Sequence, residues 1–370
     1  MRIGVPKEIK DHEYRVGIVP SGVKSLTDAG HKVYIEKGAG TGSGIADSEY
    51  RLAGAKIILS AKELYASSEM VVKVKEPLPA EFPFLKENQI LFTFLHLASD
   101  INLTRTMVDK KTIAIAYETI QLNNGTLPLL TPMSEIAGKM SIQIGASYLQ
   151  KDKGGRGVLL GGVPGVKPGT VVIVGGGVAG INAAKIAVGL GAEVIVLDIN
   201  LERLTYLDDI FKGRIITLMS NSENTEKFAI YADILVGAVL IPGARAPVLV
   251  KKDLIKQMKP GSVVIDISVD QGGCIETCRP TTHSNPVFEV NGVIHYCVTN
   301  IPAAVSRTST FALTNVTFPY VLKIANRGIH QAAASDKALA KGINVLKGKI
   351  THAAVAESFR LKYEPLKDLL

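Results

Sequence analysis

The sequence has few cysteines and no long apolar run. Its 370 residues include three cysteines, Cys274, Cys278 and Cys297. A low, odd number of cysteines argues against a disulfide-stapled secreted protein, and no signal-peptide pattern is recognisable, so we expect a cytoplasmic protein. No apolar run reaches the roughly 18 residues that a membrane-spanning helix needs, so we expect no membrane segment.

Clustered positive charge is also lacking. The formal net charge is +8, but no run of five or more basic residues occurs and no basic stretch is interleaved with aromatic residues. We therefore expect no nucleic-acid partner. The cysteines, with His283 and His295 near them, match no common zinc-ligand spacing, so we predict no metal site there.

The composition that remains is typical of a soluble globular enzyme, with 46% hydrophobic and 21% charged residues. A chain of 370 residues is longer than one hydrophobic core usually fills. We therefore expect two domains.

The most informative stretch is residues 171–198, VVIVGGGVAGINAAKIAVGLGAEVIVLD. Its first four residues are β-branched and apolar, which predicts a buried strand. Gly175, Gly177 and Gly180 follow in the G-x-G-x-x-G arrangement and open a predicted helix. A second predicted strand ends at Asp198. This sequence of elements is typical of a dinucleotide-binding βαβ unit, and it is much more specific than a glycine-rich turn alone.

Each residue of this unit suits a physical role. Gly175 permits a tight turn, Gly177 lets a pyrophosphate approach the backbone, and Gly180 lets the helix pack close to the sheet. The amino end of the helix offers unpaired N–H groups to the phosphates. Asp198 can accept hydrogen bonds from a ribose and would repel a 2′-phosphate, which favours NAD over NADP, although Arg203 just beyond could meet a phosphate.

The rest of the chain shows strands that alternate with helices. This pattern predicts an α/β fold of two doubly wound, Rossmann-like domains with mainly parallel sheets. After residue 304 we expect a helical tail without a strand, and such a tail cannot form its own sheet. We therefore expect it to return to the first domain, so that residues 1–130 and 305–370 form one discontinuous domain and residues 131–304 form an inserted nucleotide-binding domain.

Four polar residues lie just past predicted strand ends, where open α/β sheets bind ligands. Arg15 lies in the loop after the first strand, Lys75 and His96 each close a later strand, and Asp270 follows a strand of the nucleotide-binding domain. Each also has a structural interpretation: Arg15 as a surface charge, Lys75 with Lys73 as a solvated strand face, His96 as a core histidine and Asp270 as a turn residue.

Taken together, the four residues favour an anionic substrate beside a nicotinamide ring. Arg15 would bind a carboxylate, ideally in a bidentate manner, and Lys75 would hold the carboxylate or polarise a carbonyl. His96 would transfer protons at neutral pH, and Asp270 would stabilise an iminium or an ammonium. This set suits oxidation of a small 2-amino or 2-hydroxy acid and does not choose between them.

Several motifs carry a family resemblance over essentially the whole chain. They are MRIGVPKEIKDHEYRV, VKVKEP, FTFLHLA, TPMSEIAG, VGGGVAG, GAVLIPG, IDISVDQGG and VTNIPAAVSRTSTFALTN. With them the chain resembles the alanine dehydrogenase family, which is shared with the NAD-binding subunit of proton-translocating transhydrogenase. The resemblance implies reversible, NAD-dependent conversion of L-alanine to pyruvate and ammonia by a cytoplasmic homohexamer.

The resemblance also implies roles for individual residues. Arg15 and Lys75 would bind the substrate, and His96 and Asp270 would be catalytic. The NAD contacts that carry over are Ser134, Val178, Ala179, Asp198, Arg203, Ser220, Val239, Leu240, Ile267, Ser268, Val269, Asp270, Arg279, Val298, Thr299, Asn300 and Ile301.

Two other functions remain as alternatives. The first is the transhydrogenase subunit itself, which typically has extra residues after the second nucleotide strand and a glutamate in place of Asp270. The second is a non-catalytic NAD-binding regulator, which would not need both His96 and Asp270. Some relatives carry magnesium on the helix after TSTFALTN, but Lys323 and Arg327 in that helix cannot ligate a cation, so we predict no metal.

Overall fold

The computed structural model describes residues 1–239, 246–269 and 272–370. Two predicted site residues, Leu240 and Asp270, therefore lie outside the described residues. The chain divides into two compact units. Unit 1 is Met1–Met133 with Val305–Leu370, and unit 2 is Ser134–Ala304.

The strands and helices alternate along most of the chain. The strands are β1 Arg2–Val5, β2 Lys32–Glu36, β3 Lys56–Ile58, β4 Met70–Val72, β5 Ile90–Thr93, β6 Ile113–Ala116, β7 Thr170–Val174, β8 Glu193–Asp198, β9 Ile216–Met219, β10 Ile234–Gly237, β11 Val263–Asp266, β12 Val287–Val290, β13 Val293–Tyr296, β14 Ile343–Leu346 and β15 Lys349–Ile350. The helices are α1 Pro20–Asp28, α2 Asp47–Leu52, α3 Ala61–Ser67, α4 Ile101–Asp109, α5 Thr131–Tyr148, α6 Val178–Gly189, α7 Leu201–Phe211, α8 Ser222–Tyr231, α9 Lys252–Ile255, α10 Ser306–Ser335, α11 Lys337–Gly342 and α12 Ala353–Phe359.

The sheet of unit 1 has the order β15-β14-β6-β5-β4-β1-β2-β3. Strands β1 to β6 pair in parallel, while β14 and β15 add an antiparallel edge. The order of the six parallel strands reverses between β1 and β4, which is the topological switch point of a doubly wound sheet. Ligands of such sheets bind outside the carboxyl ends of the strands beside this point.

The sheet of unit 2 repeats this arrangement with the order β12-β13-β11-β10-β7-β8-β9. All its pairs are parallel except the edge pair of β12 with β13. Its switch point lies between β7 and β10. The prediction of an α/β fold with two mainly parallel, Rossmann-like sheets is thus confirmed.

Strand β7 shows why these sequences form central strands. Val171 and Ile173 pack into one hydrophobic cluster of unit 2, and Val172 and Val174 pack into another. Successive side chains of a strand point to opposite faces, so a continuous run of β-branched residues suits a strand that is covered on both sides.

The prediction of a strandless tail was wrong. Strand β14 pairs with β6 and continues through a tight turn into β15. The turn residues Lys347 and Gly348 both have positive φ, 51° and 73°, as a type I′ hairpin turn requires. The four residues of β14, INVL, are too few to show a periodicity that separates a strand from a helix. Pairing with the edge of β6 makes them a strand.

Two elements were missed by the sequence analysis. Helix α5 begins at Thr131, whose hydroxyl donates to the Leu127 carbonyl at 2.9 Å. Helix α2 and the antiparallel strand β12 were not predicted. Over the described parts of the chain, no helix is both long and apolar enough to cross a membrane.

Candidate functional site

The three predicted site residues of unit 1 follow neighbouring strands of its sheet. Lys75 lies three residues beyond Val72, the end of β4, and His96 lies three residues beyond Thr93, the end of β5. Arg15 lies in the loop after β1. Both strands are thus shorter than predicted, and Lys75 and His96 belong to the loops that leave the carboxyl edge. Because β1, β4 and β5 are adjacent and parallel, these loops share one edge of the sheet.

Lys75 is a buried cation, 7% exposed. Within the described residues its ammonium has no hydrogen-bond or ion-pair partner. Burial lowers its pKa below the usual range; Glu76 opposes this shift, and the positive charges of Lys10 and Arg15 add to it. The interpretation as a solvated strand face was therefore wrong. A buried ammonium among other cations is costly unless an anion joins it.

Arg15 is also buried, at 2% exposed, so the interpretation as a surface charge was wrong as well. Its Nε and Nη2 donate to the two carboxylate oxygens of Glu13 at 2.7 and 2.6 Å. Its Nη1 lies 3.1 Å from the Met133 sulfur. Glu13 therefore occupies the Nε–Nη2 edge of the guanidinium.

His96 is half-buried and has an unusual backbone. Its φ and ψ of 50° and 37° lie in the left-handed region, which is rare outside glycine. The imidazole stacks on Phe94 with 5.9 Å between ring centroids and 4° between ring planes. No hydrogen bond to either ring nitrogen occurs within the described part of the chain. The ring is therefore not the hydrogen-bonded core histidine that the alternative interpretation requires.

A buried charge network supports the loop that carries Lys75. The ammonium of Lys73, 0% exposed, contacts Glu8 at 3.1 Å and Glu81 at 2.8 Å. Burial alone would lower the pKa of Lys73, but Glu8, Tyr65 and Glu81 raise it, so the ammonium stays charged. The second oxygen of Glu8 accepts the amides of residue 74 at 2.7 Å and of Lys75 at 3.2 Å. Glu8 thus joins the network to the predicted substrate site.

The sequence interpretation missed the carboxylates of this region. Glu8 and Glu81 bind Lys73, Glu13 binds Arg15, and Glu118 accepts the amide of His96 at 2.6 Å. A usable signal existed for Glu118, because it follows the end of β6 and so satisfies the strand-end criterion that selected Lys75 and His96. Glu8 and Glu13 satisfy the same criterion, because they lie in the loop after β1 that also contributes Arg15. Glu81 lies nine residues beyond the end of β4 and gave no such signal.

In unit 2 the glycine loop joins β7 to α6. Gly175 has φ of +103°, and an added Cβ would lie 2.6 Å from the Ala238 carbonyl oxygen. A Cβ at Gly180 would lie 1.8 Å from the Gly175 oxygen, whereas one at Gly177 would meet nothing within 4 Å. Gly177 also begins the 12-residue helix α6 without a capping side chain. The open space and the unpaired first N–H groups of α6 fit a pyrophosphate.

Asp198 ends the neighbouring strand β8. Its Oδ2 accepts the Gly176 amide at 2.6 Å and its Oδ1 accepts the Asn200 amide at 2.9 Å, which fixes the carboxylate beside the glycine loop. A carboxylate has about four acceptor positions, so lone pairs remain for ribose hydroxyls. Arg203 lies close by, and its guanidinium stacks on the Tyr206 ring at 5.6 Å.

The other predicted NAD residues mostly follow carboxyl ends of parallel strands. Those after β9, β10, β11 and β13 are Ser220, Val239, Ile267, Ser268, Val269, Val298, Thr299, Asn300 and Ile301. Ser134 and Val178 with Ala179 lie in the first turns of α5 and α6. Arg279 is exposed and stacks on Phe288 at 4.6 Å. Unit 2 therefore gathers these predicted positions at one edge of its sheet.

A metal site would need several His, Cys, Asp or Glu side chains close together. Among residues 1–239, 246–269 and 272–370, no three or more His, Cys, Asp or Glu side chains are grouped so that they could hold a metal ion. Lys323 on α10 forms an ion pair with Asp336.

Comparisons with known proteins agree over the whole chain. Residues 4–137 match the sequence model of the alanine dehydrogenase/PNT N-terminal domain, and residues 141–353 match that of the C-terminal domain. The chain is 61% identical to the alanine dehydrogenase of Methanococcus maripaludis and 53% identical to alanine dehydrogenase 2 of Staphylococcus aureus, each covering 100% of both chains.

Solved structures give the same result. An L-alanine dehydrogenase superposes with a TM-score of 0.94 at 56% identity and covers 97% of this chain and 99% of its own. A transhydrogenase from Sinorhizobium meliloti superposes with a TM-score of 0.79 at 22% identity and covers 96% of this chain and 100% of its own. The second likeness shows the fold alone.

Replacement of Lys73 tests the buried network. We expect Lys73→Met to lower the free energy of unfolding by about 3–5 kcal/mol, because it leaves the carboxylates of Glu8 and Glu81 buried without their cation. The control is Lys111→Met, which removes an exposed ion pair with Glu87 and should cost at most about 1 kcal/mol. Urea denaturation measures both, and overlapping curves for the two variants would refute a stabilising role of the network.

Proposed function

The chain belongs to the alanine dehydrogenase/PNT family, and on that basis we propose that it is an NAD-dependent alanine dehydrogenase. It interconverts L-alanine and pyruvate with ammonia. Full-length identities of 53–61% to alanine dehydrogenases support this activity. In this proposal residues 1–130 and 305–370 of unit 1 form the substrate domain, and residues 131–304 form the NAD-binding domain.

The observation that carries the proposal is the unsatisfied charge at Lys75. This buried ammonium has no partner among the described residues, and its pKa is lowered by burial and by the nearby cations Lys10 and Arg15. A small carboxylate supplies the missing negative charge. Lys75 and Arg15 therefore bind the carboxylate shared by alanine and pyruvate.

His96 acts as the acid and base. It takes a proton while hydride leaves the alanine Cα, which gives an iminium. After releasing that proton to solvent, His96 takes a proton from the water that attacks the iminium. It returns this proton to the amine as the carbinolamine collapses to pyruvate and ammonia. The half-buried imidazole, without a hydrogen bond to another described residue, is open to such an exchange. Asp270, the second catalytic residue of the proposal, lies outside the described residues.

Bound NAD would supply the hydride acceptor for this reaction. The chain would hold its pyrophosphate at Gly175, Gly177 and Gly180 and its adenosine ribose at Asp198. The carboxylate of Asp198 disfavours the 2′-phosphate of NADP.

The alternatives are not favoured. A transhydrogenase subunit is similar in fold at 22% identity, far below the identity to alanine dehydrogenases. A non-catalytic NAD-binding regulator would gain nothing from a buried, unsatisfied lysine beside an arginine.

The proposed function is tested by oxidation of NADH at 340 nm with pyruvate and ammonium. We expect turnover that requires ammonium and falls by at least about 100-fold in His96→Ala, because general acid–base catalysis contributes factors of this size. NADPH in place of NADH should support a much lower rate of turnover. Turnover without ammonium would instead identify a 2-hydroxy-acid dehydrogenase, and tight NADH binding without turnover would favour the regulator or the transhydrogenase subunit.

The lowered pKa of Lys75 predicts a pH dependence of carboxylate binding. A lysine whose pKa is below the usual 10.5 loses its charge before that pH is reached. We expect the inhibition constant of propionate against pyruvate to rise as pH approaches 10.5, by about tenfold per unit above the pKa. Propionate is chosen because it has no amino group that titrates in this range.

The matched variant is Lys75→Arg, which keeps its charge throughout this range. The inhibition constant of propionate for this variant should not change over the same pH interval. A flat profile in the wild type, or an equal rise in both proteins, would contradict the role of Lys75.

We further propose a cytoplasmic homohexamer. The support is the similarity to alanine dehydrogenases over the full chain. Light scattering coupled to size exclusion should give a mass about six times the chain mass of 39.5 kDa. A monomer or dimer mass at assay concentration would rule the hexamer out.

A further inference from the structure

A carboxylate just beyond the end of the neighbouring strand holds the backbone of His96. Glu118 lies on a 3₁₀ turn, Tyr117–Thr119, directly after β6, and β6 pairs with β5. Its Oε1 accepts the His96 amide at 2.6 Å, and the Leu95 amide lies 3.3 and 3.2 Å from its two oxygens. Two successive amides of the loop after β5 therefore converge on one carboxylate.

The backbone of His96 needs such a partner. A non-glycine residue with φ of 50° is disfavoured, and it persists where the surroundings fix it. Hydrogen bonds from amides to an ionised carboxylate are shorter and about twice as strong as bonds between neutral groups. The amide of His96, the residue with the disfavoured φ, itself donates the 2.6 Å hydrogen bond to Glu118.

The other contacts of His96 complete its fixation. Its carbonyl accepts the Ser99 hydroxyl at 2.8 Å and the Ser99 amide at 2.9 Å, and its ring lies flat against Phe94. Among the described residues, none accepts or donates a hydrogen bond at the ring nitrogens. The direction of the imidazole is therefore set through its backbone and one ring face, so both nitrogens stay open to substrate and water.

We propose that Glu118 is a positioning residue that fixes His96 for proton transfer. The inference rests on the proposed function, in which His96 is the acid and base. Glu118 does not touch the substrate in this scheme. It acts by holding the left-handed turn that aims the imidazole, and a displacement of about 1 Å at a reacting group can cost about 100-fold in rate.

Glu118→Ala in the full-length protein tests the proposal. We expect kcat for reductive amination of pyruvate to fall about 30- to 100-fold, with the KM values for pyruvate and NADH changed less than about threefold. Glu118→Gln keeps one acceptor oxygen for the His96 amide and should recover part of the loss. Hydrogen exchange at the amides of residues 95 and 96 should speed up in Glu118→Ala.

The matched control is Asp100→Ala. The carboxylate of Asp100 also accepts two backbone amides, those of Asn102 and Leu103, at 2.8 and 3.0 Å. It lies just beyond the same turn, but its amides belong to α4. This variant should lose helix stability and keep kcat within about twofold.

A double-mutant cycle separates positioning from general structural damage. If Glu118 acts through His96, Glu118→Ala should cost less than about threefold in a His96→Ala background. The inference would be overturned if Glu118→Ala lowered kcat equally in both backgrounds. It would also be overturned if Glu118→Ala alone kept the wild-type kcat, whether or not its KM rose. An inactive wild type, or full turnover in His96→Ala, would instead overturn the proposed function.

Discussion

The contact between Lys73 and its two glutamates is the constraint on which the described part of the substrate site depends. It places a charged ammonium, fully buried, directly beyond the end of β4, where only ionised partners make it tolerable. Glu8 also receives the amides that lead to Lys75. A satisfied cation thus fixes the loop that presents an unsatisfied one, two residues further along the chain. The first is structural, and the second binds an anion in the proposed function.

Carboxylates also hold neighbouring groups in place at the carboxyl edge of each of the two sheets. In unit 1, Glu8, Glu13 and Glu118 each hold a group that the proposed reaction uses, by contacts to backbone amides or to a guanidinium. In unit 2, Asp198 holds the glycine loop through the Gly176 amide, and Asp266 accepts the amides of Ser268 and Cys274 at 2.9 and 2.8 Å. Carboxylates at strand ends therefore build both edges, because loop amides there lack sheet partners.

The sequence predicted what depends on local pattern. The glycine loop, its strand and its terminal aspartate could be read directly because each residue has one physical reason to be there. Arg15, Lys75 and His96 could be selected by the rule that ligands bind at strand ends. The burial of Lys73 and the left-handed backbone of His96 could not be predicted from the sequence. Both depend on partners far away in sequence, such as Glu8 and Glu118. Likewise, β14 became a strand only because β6 offered an edge.

That edge has a consequence for synthesis of the chain on the ribosome. The last strands of the unit 1 sheet, β14 and β15, are encoded more than 200 residues after β6, and all of unit 2 is made in between. Until β14 has been made, the edge of β6 that faces away from β5 has no strand partner and presents an open row of amides and carbonyls. Unit 2, which is continuous in sequence, can complete its sheet first. The open edge of unit 1 is therefore exposed to wrong strand pairing for longer than any edge within unit 2.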